Sequence, residues 1–153
     1  MTSFSSSLNE HFAFGDNWAD YSKLVTDTHI EYARKELRTL FGRMSFQGLN
    51  WCDLGSGSGI HSIAAATLGA KVLAVDIDEA SCKTTQVLAD RFECGDRVTV
   101  RQGSALDLPH DLSTFDVVYS WGVLHHTGSL WKAVDLATNL VSKESGSLFA
   151  LAL

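Results

Sequence analysis

From Leu49 onward, short apolar runs rich in Val, Leu and Ile alternate with stretches of helical pattern, and this alternation leaves few folds open. The runs cover 49–54, 71–75, 98–101, 115–120 and 147–153. The helices between them cover 60–68, 79–92 and 130–141, and a long loop at 104–114 carries the only proline, Pro109. Parallel neighbours need a crossover, and a crossover helix covers a face of the sheet, so the pattern predicts a parallel sheet buried on both sides. Continuous apolar stretches such as Val72-Leu73-Ala74-Val75 fit that burial. Upstream, 18–41 reads as one helix with a loose apolar face, and 1–17 as an arm without regular structure. The remainder, 18–153, is one domain, without repeat or linker.

Composition narrows the function. Twelve Lys+Arg against 18 Asp+Glu give a formal charge of −6, with no basic run, so the footprint of a nucleic-acid binder is absent. No apolar run reaches the roughly 18 residues of a membrane span. The start, Met1 to Ser7, has neither a basic nor an apolar leader segment, and the expected location is the cytoplasm. Cys52, Cys82 and Cys94 form no Cys-x-x-Cys pair and read as reduced thiols, with no metal site expected.

The chemistry is concentrated in Asp53-Leu54-Gly55-Ser56-Gly57-Ser58-Gly59, between a strand and a helix. In an open parallel sheet, ligands bind beyond the carboxyl ends of strands where the strand order reverses. A dinucleotide loop wants Gly-x-Gly-x-x-Gly to meet a pyrophosphate. Here the third glycine comes one residue early, and Ile60 stands where that pattern needs Gly. Asp53, at the strand end, disfavours a pyrophosphate and favours a ligand with an ammonium or a sulfonium. Asp76, in Val75-Asp76-Ile77-Asp78, lies 21 residues after Gly55 and suits a ribose diol. Asp78 reads as a helix-start residue rather than a ligand contact.

These segments, followed by Gly-Ser-Ala-Leu-Asp-Leu-Pro at 103–109 and Phe-Asp-Val-Val-Tyr-Ser-Trp-Gly-Val-Leu-His-His-Thr-Gly at 115–128, resemble the successive motifs of class I S-adenosylmethionine-dependent methyltransferases. With Phe14-Gly15-Asp16-Asn17-Trp18 upstream, the 120–128 stretch is similar to a bacterial subgroup acting on small molecules, whose acceptors are mostly unassigned. The resemblance covers about 12–153. It implies a three-layer α/β sandwich with a mainly parallel, Rossmann-like sheet in the order 3-2-1-4-5, preceded by an N-terminal helix. It implies S-adenosylmethionine as cofactor and S-adenosylhomocysteine as product. Asp53, Gly55, Ser56, Gly57 and Gly59 would hold the methionine part, Asp76 and Ile77 the ribose, Ser104 and Ala105 the adenine. Ser120 and Trp121 would line the methyl end. Many relatives carry Asp where Ser104 stands, which moves any adenine contact toward the Ala105 backbone.

His125 is the candidate catalytic base; of the adjacent His125 and His126, one is expected to face the pocket and the other to pack or cap a turn. Phe14, Trp18 and Tyr21 read either as a lid or as a staple of the first helix. Trp51, Phe115 and Trp131 are expected in the core, while His11, His29, His61 and His110 carry no pattern. The resemblance also implies strands 6 and 7, which this sequence does not contain. The chain reads as a fragment, a natural minimal form, or a half that pairs with another chain, with the fragment favoured. Strand 147–153 would then be an unprotected edge prone to self-association. The expected function is methyl transfer to a small-molecule acceptor, without nucleic acid or membrane as partner. The alternatives are a non-catalytic cofactor-binding protein or inactive fragment, and a nicotinamide-dependent oxidoreductase.

Overall fold

The computed structural model describes residues 20–108 and 112–153. The five strands form one parallel sheet in the order β3-β2-β1-β4-β5. They are β1 (Asn50–Leu54), β2 (Lys71–Asp76), β3 (Val98–Gln102), β4 (Val117–Trp121) and β5 (Leu148–Ala152). Helices α1 (Asp27–Phe41), α2 (Ile60–Thr67), α3 (Glu79–Arg91) and α4 (Leu130–Asn139) cover it. Strand order reverses beside β1, which pairs with β2 on one side and β4 on the other. The expected sheet order and α/β layering are therefore found. The arm at 1–17, together with Phe14 and Trp18 of the suggested lid, lies outside the described residues.

Side chains alternate along each strand, and so does the core. On one face Trp51, Val72, Ala74, Val117 and Tyr119 pack under Ile30 and Leu37 of α1, Ile63 of α2 and Leu88 of α3. On the other, Cys52, Leu54, Val75 and Val118 pack under Ala133 and Ala137 of α4. Helix α2 carries Ala64, Ala65 and Ala66, all fully buried; their small side chains let its backbone lie close to the sheet.

Two expectations change in the structure, and one further element appears. The single helix expected over 18–41 is interrupted. Residues 20–24 are helical, Val25 is buried, and Thr26 turns extended to cap α1. The imidazole of His29 accepts the Thr26 N–H at 3.1 Å, and Arg91 donates to the Ser22 and Val25 carbonyls at 2.8 and 3.0 Å. These partners satisfy the backbone groups that a break leaves open. Trp131 is not in the core: it is 79% exposed, whereas Trp51 and Phe115 are buried. The stripe of α4 that faces the sheet is Leu130, Ala133, Val134 and Ala137, and position 131 falls off it. Finally, Leu124–His126 form a turn of 3-10 helix after β4 that periodicity did not announce.

Candidate cofactor site

All the elements of the site meet at the carboxyl ends of β1, β2 and β4. Strand β1 ends in a loop where Gly55, Gly57 and Gly59 have φ of 80°, 52° and 79°, a region that side chains with a Cβ rarely adopt. A Cβ on Gly55 would collide with Val123, just after β4, and one on Gly59 would lie 2.9 Å from the Thr85 Cα of α3. The glycines thus let the loop sink between two neighbouring elements.

Four backbone donors of this loop bond within the protein. Gly55 and Ser56 donate to the Val75 carbonyl at 2.7 and 3.1 Å, Gly59 donates to Ser56 at 2.8 Å, and Gly57 donates to Asp76 Oδ2 at 2.8 Å. A pyrophosphate cradle needs such N–H groups aimed at the ligand, and here they are aimed at the protein. What the loop presents is acid. Asp53 is 2% exposed and accepts the Ser62 hydroxyl at 2.5 Å. Burial pushes its carboxyl up to about 6, against the opposing effects of the Ser62 bond and of His61; the neighbouring Asp76 adds to the rise.

Asp76 ends β2. Its Oδ1 accepts Asp78 N–H at 2.9 Å while Oδ2 holds Gly57. A carboxylate has about four acceptor positions, so these bonds do not exhaust its capacity for a hydroxyl. Burial raises its pKa, opposed by these backbone bonds. Asp78 caps α3, accepting from Ser81 at 2.7 Å, which is the helix-start role expected of it.

The remaining sequence candidates lie on β4 and in the turns after β2, β3 and β4. Ile77 is 58% exposed beside Asp76, and its carbonyl accepts from Gln102 at 3.0 Å. Ser104 and Ala105 lie half-buried in the turn after β3, with the Ser104 hydroxyl accepting Leu106 N–H at 3.1 Å. Ser120 is fully buried and donates to the Leu54 carbonyl at 2.9 Å, joining β4 to β1; its hydroxyl points into the sheet. Trp121 is half-exposed at the end of β4. His125 and His126 are both exposed, with ring centroids 3.8 Å apart, so neither packs inside the turn. Among the described residues no His, Cys, Asp and Glu cluster suits a metal ion.

The structure adds residues that no pattern singled out. Tyr119 lies opposite Asp53 in the strand register, and its phenol is 3.2 Å from His61 Nδ1. His61 Nε2 is 3.5 Å from Glu36 of α1. Thr85 and Val123 are the walls that require glycine at 59 and 55. Only the fold brings these positions together, so the sequence carries no signal for them beyond their residue types.

Residues 52–144 match the family described as "Methyltransferase domain". The chain belongs to this family, the class I S-adenosylmethionine-dependent methyltransferases. The methyltransferase domain is 35% identical over 96 residues to a ribosomal protein L11 methyltransferase of Desulfitobacterium hafniense, covering 63% of this chain and 27% of that protein. It is 33% identical over 114 residues to a ubiquinone biosynthesis O-methyltransferase of Azorhizobium caulinodans, covering 74% and 42%. The chain thus spans less than half the length of these relatives. Among solved structures, a Geobacter sulfurreducens SAM-dependent methyltransferase in complex with S-adenosyl-L-homocysteine superposes with a TM-score of 0.59 at 22% identity, over 82% of this chain and 47% of that one. A Methanococcus maripaludis protein described as an S-adenosyl-L-methionine-dependent methyltransferase superposes with a TM-score of 0.69 at 19% identity, over 92% and 62%. These likenesses concern the fold. No helix among the described residues of the methyltransferase domain is long and apolar enough to cross a membrane.

Proposed function

We propose that this domain binds S-adenosylmethionine across the ends of β1, β2 and β4 and transfers its methyl group to a small-molecule acceptor, leaving S-adenosylhomocysteine. One observation carries the reading: a glycine loop whose Gly55, Ser56, Gly57 and Gly59 N–H groups bond within the protein, following directly on the buried carboxylate of Asp53. Such a site repels phosphate and attracts an ammonium. The half-buried Asp76, with acceptor positions to spare, suits the two hydroxyls of an unphosphorylated ribose. The turn at Ser104 and Ala105 supports an adenine at the far end, and Trp121 lines the near one.

Bound there, S-adenosylmethionine supplies a methyl group already activated on a sulfonium. The protein's part is then alignment and exclusion of water. Asp53 holds the ammonium end and Asp76 the ribose in the middle of the ligand, with the loop from Gly55 to Gly59 between them. His125, on the turn after β4, is the candidate to take a proton from the acceptor. The charge of −6 favours a small acceptor over a nucleic acid.

Calorimetry with S-adenosylhomocysteine and NAD side by side tests the reading. Saturable binding of the first and none of the second is the expected result; the reverse would overturn it. Methyl transfer is then measured with radiolabelled donor against a panel of small phenols, amines and carboxylates.

A further inference from the structure

We propose that His61 is a titrating partner of Asp53, a positioning residue that carries a proton before an ammonium binds beside Asp53 and yields it when the ammonium arrives. The inference rests on the functional reading above and deepens it, because it states how the site answers the charge of its ligand.

His61 precedes Ser62 in the first turn of α2, and Ser62 is fully buried with its hydroxyl on Asp53. Among the described residues, the side chains that act on the charge of Asp53 are Ser62 and His61, which favour it, and Asp76, which opposes it. His61 is the base of that set. Its ring sits between groups from two further elements. Nδ1 is 3.2 Å from the Tyr119 phenol of β4, and Nε2 is 3.5 Å from the Glu36 carboxylate of α1. Arg34 and Arg38, on the same helix as Glu36, are engaged elsewhere, with Glu31, the Thr67 hydroxyl and the Met44 carbonyl. Tyr119 stays a neutral hydroxyl: burial raises its pKa, and Asp53 and Glu36 add to the rise.

This setting lets the imidazole change charge in place. Neutral, it accepts the Tyr119 O–H at Nδ1 and keeps its proton on Nε2, facing Glu36. Protonated, it donates from Nδ1 to the phenol oxygen and still faces Glu36 with Nε2. Neither form requires the ring to turn. Because both nitrogens face protein groups, His61 has no N–H to offer a ligand carboxylate, and it acts on the site by its charge alone. A charged imidazole repels a second cation brought to Asp53. It can discharge by losing a proton, since an imidazole ordinarily titrates near pH 6.5. Ammonium binding then drives protons from both Asp53 and His61.

Calorimetry in buffers of different ionisation enthalpy counts the protons released as S-adenosylhomocysteine binds. Near pH 5, below the range in which Asp53 ionises, the wild type is expected to release more protons than His61→Gln, by up to about one per ligand. A merely structural role for the ring would not change that count. The thioether 5′-methylthioadenosine, which keeps the nucleoside and lacks the ammonium, should release the same number from both proteins. Equal counts for S-adenosylhomocysteine would overturn the proposal. A smaller count in the wild type would overturn it too, and would make His61 a partner of the ligand carboxylate. A second measurement needs no variant: at a pH near 6, the assigned His61 ring-proton resonance should move toward the neutral-imidazole position on adding S-adenosylhomocysteine and stay in place with 5′-methylthioadenosine. A resonance unmoved by bound S-adenosylhomocysteine also overturns the proposal. If the wild type binds neither compound, the functional reading itself fails, and the inference with it.

Discussion

Asp53 is a carboxyl that the fold makes hard to ionise. In the unfolded chain it titrates near 3.8, and in the fold near 6. The protonated form is therefore favoured by folding, and the unliganded protein loses that contribution as pH rises from about 4 to about 6. A bound ammonium reverses the preference, because it stabilises the ionised form. Affinity for S-adenosylhomocysteine should accordingly increase from pH 5 to pH 7 with a midpoint near 6, and Asp53→Asn should flatten the profile; calorimetry across that range reads both. Asp76 has two tasks, since it also anchors the loop through Gly57. Asp76→Ala should weaken ligand binding by about 1–3 kcal/mol for the lost polar contacts and lower the melting temperature as well. Unchanged affinity would place the ribose elsewhere. Both aspartates could be singled out from the sequence because a carboxylate at the end of a buried strand has few structural uses. His61 and Tyr119 could not, since an isolated His at a helix start and a Tyr in a strand each have ordinary packing roles.

The first helix shows how local chemistry overrides periodicity. A weak apolar face over 18–41 suggested one element, yet Val25 turns inward and Thr26 starts a new helix whose first turn it caps with His29. Thr26→Ala should lower stability by about 1 kcal/mol, read as a shift in the thermal melt, and leave ligand affinity intact. The glycine loop is the opposite case, where sequence and geometry agree on the residue but for different reasons. Glycine at 55 and 59 was read as room for a ligand; the structure shows that it first makes room for Val123 and Thr85. Gly59→Ala combines a left-handed backbone with a clash against the α3 backbone. It should destabilise the domain by about 2 kcal/mol or more in chemical denaturation. Trp131 leaves the core for a geometric reason: Leu130, Ala133, Val134 and Ala137 form the stripe of α4 that packs on the sheet, and position 131 falls off it.

At the scale of the whole molecule, β5 pairs with β4 and closes one side of the sheet, with Leu148 and Leu153 43% and 68% exposed. The residue pattern alone determined that five strands alternate with helices, that a glycine loop follows β1, and that an acidic residue ends β2. It could do so because strand burial, glycine conformation and the sign of a charge are properties of short segments. Tertiary structure alone decided that the Gly55, Ser56, Gly57 and Gly59 N–H groups bond within the protein, that the Ser120 hydroxyl bonds the Leu54 carbonyl while Trp121 stays half-open, and that Glu36, His61 and Tyr119 line up beside it. Those facts depend on which residues from distant segments meet: helix packing brings residue 36 to 61, strand pairing brings 53 to 119, and the turn after β1 brings 57 to 76, only once the chain has folded.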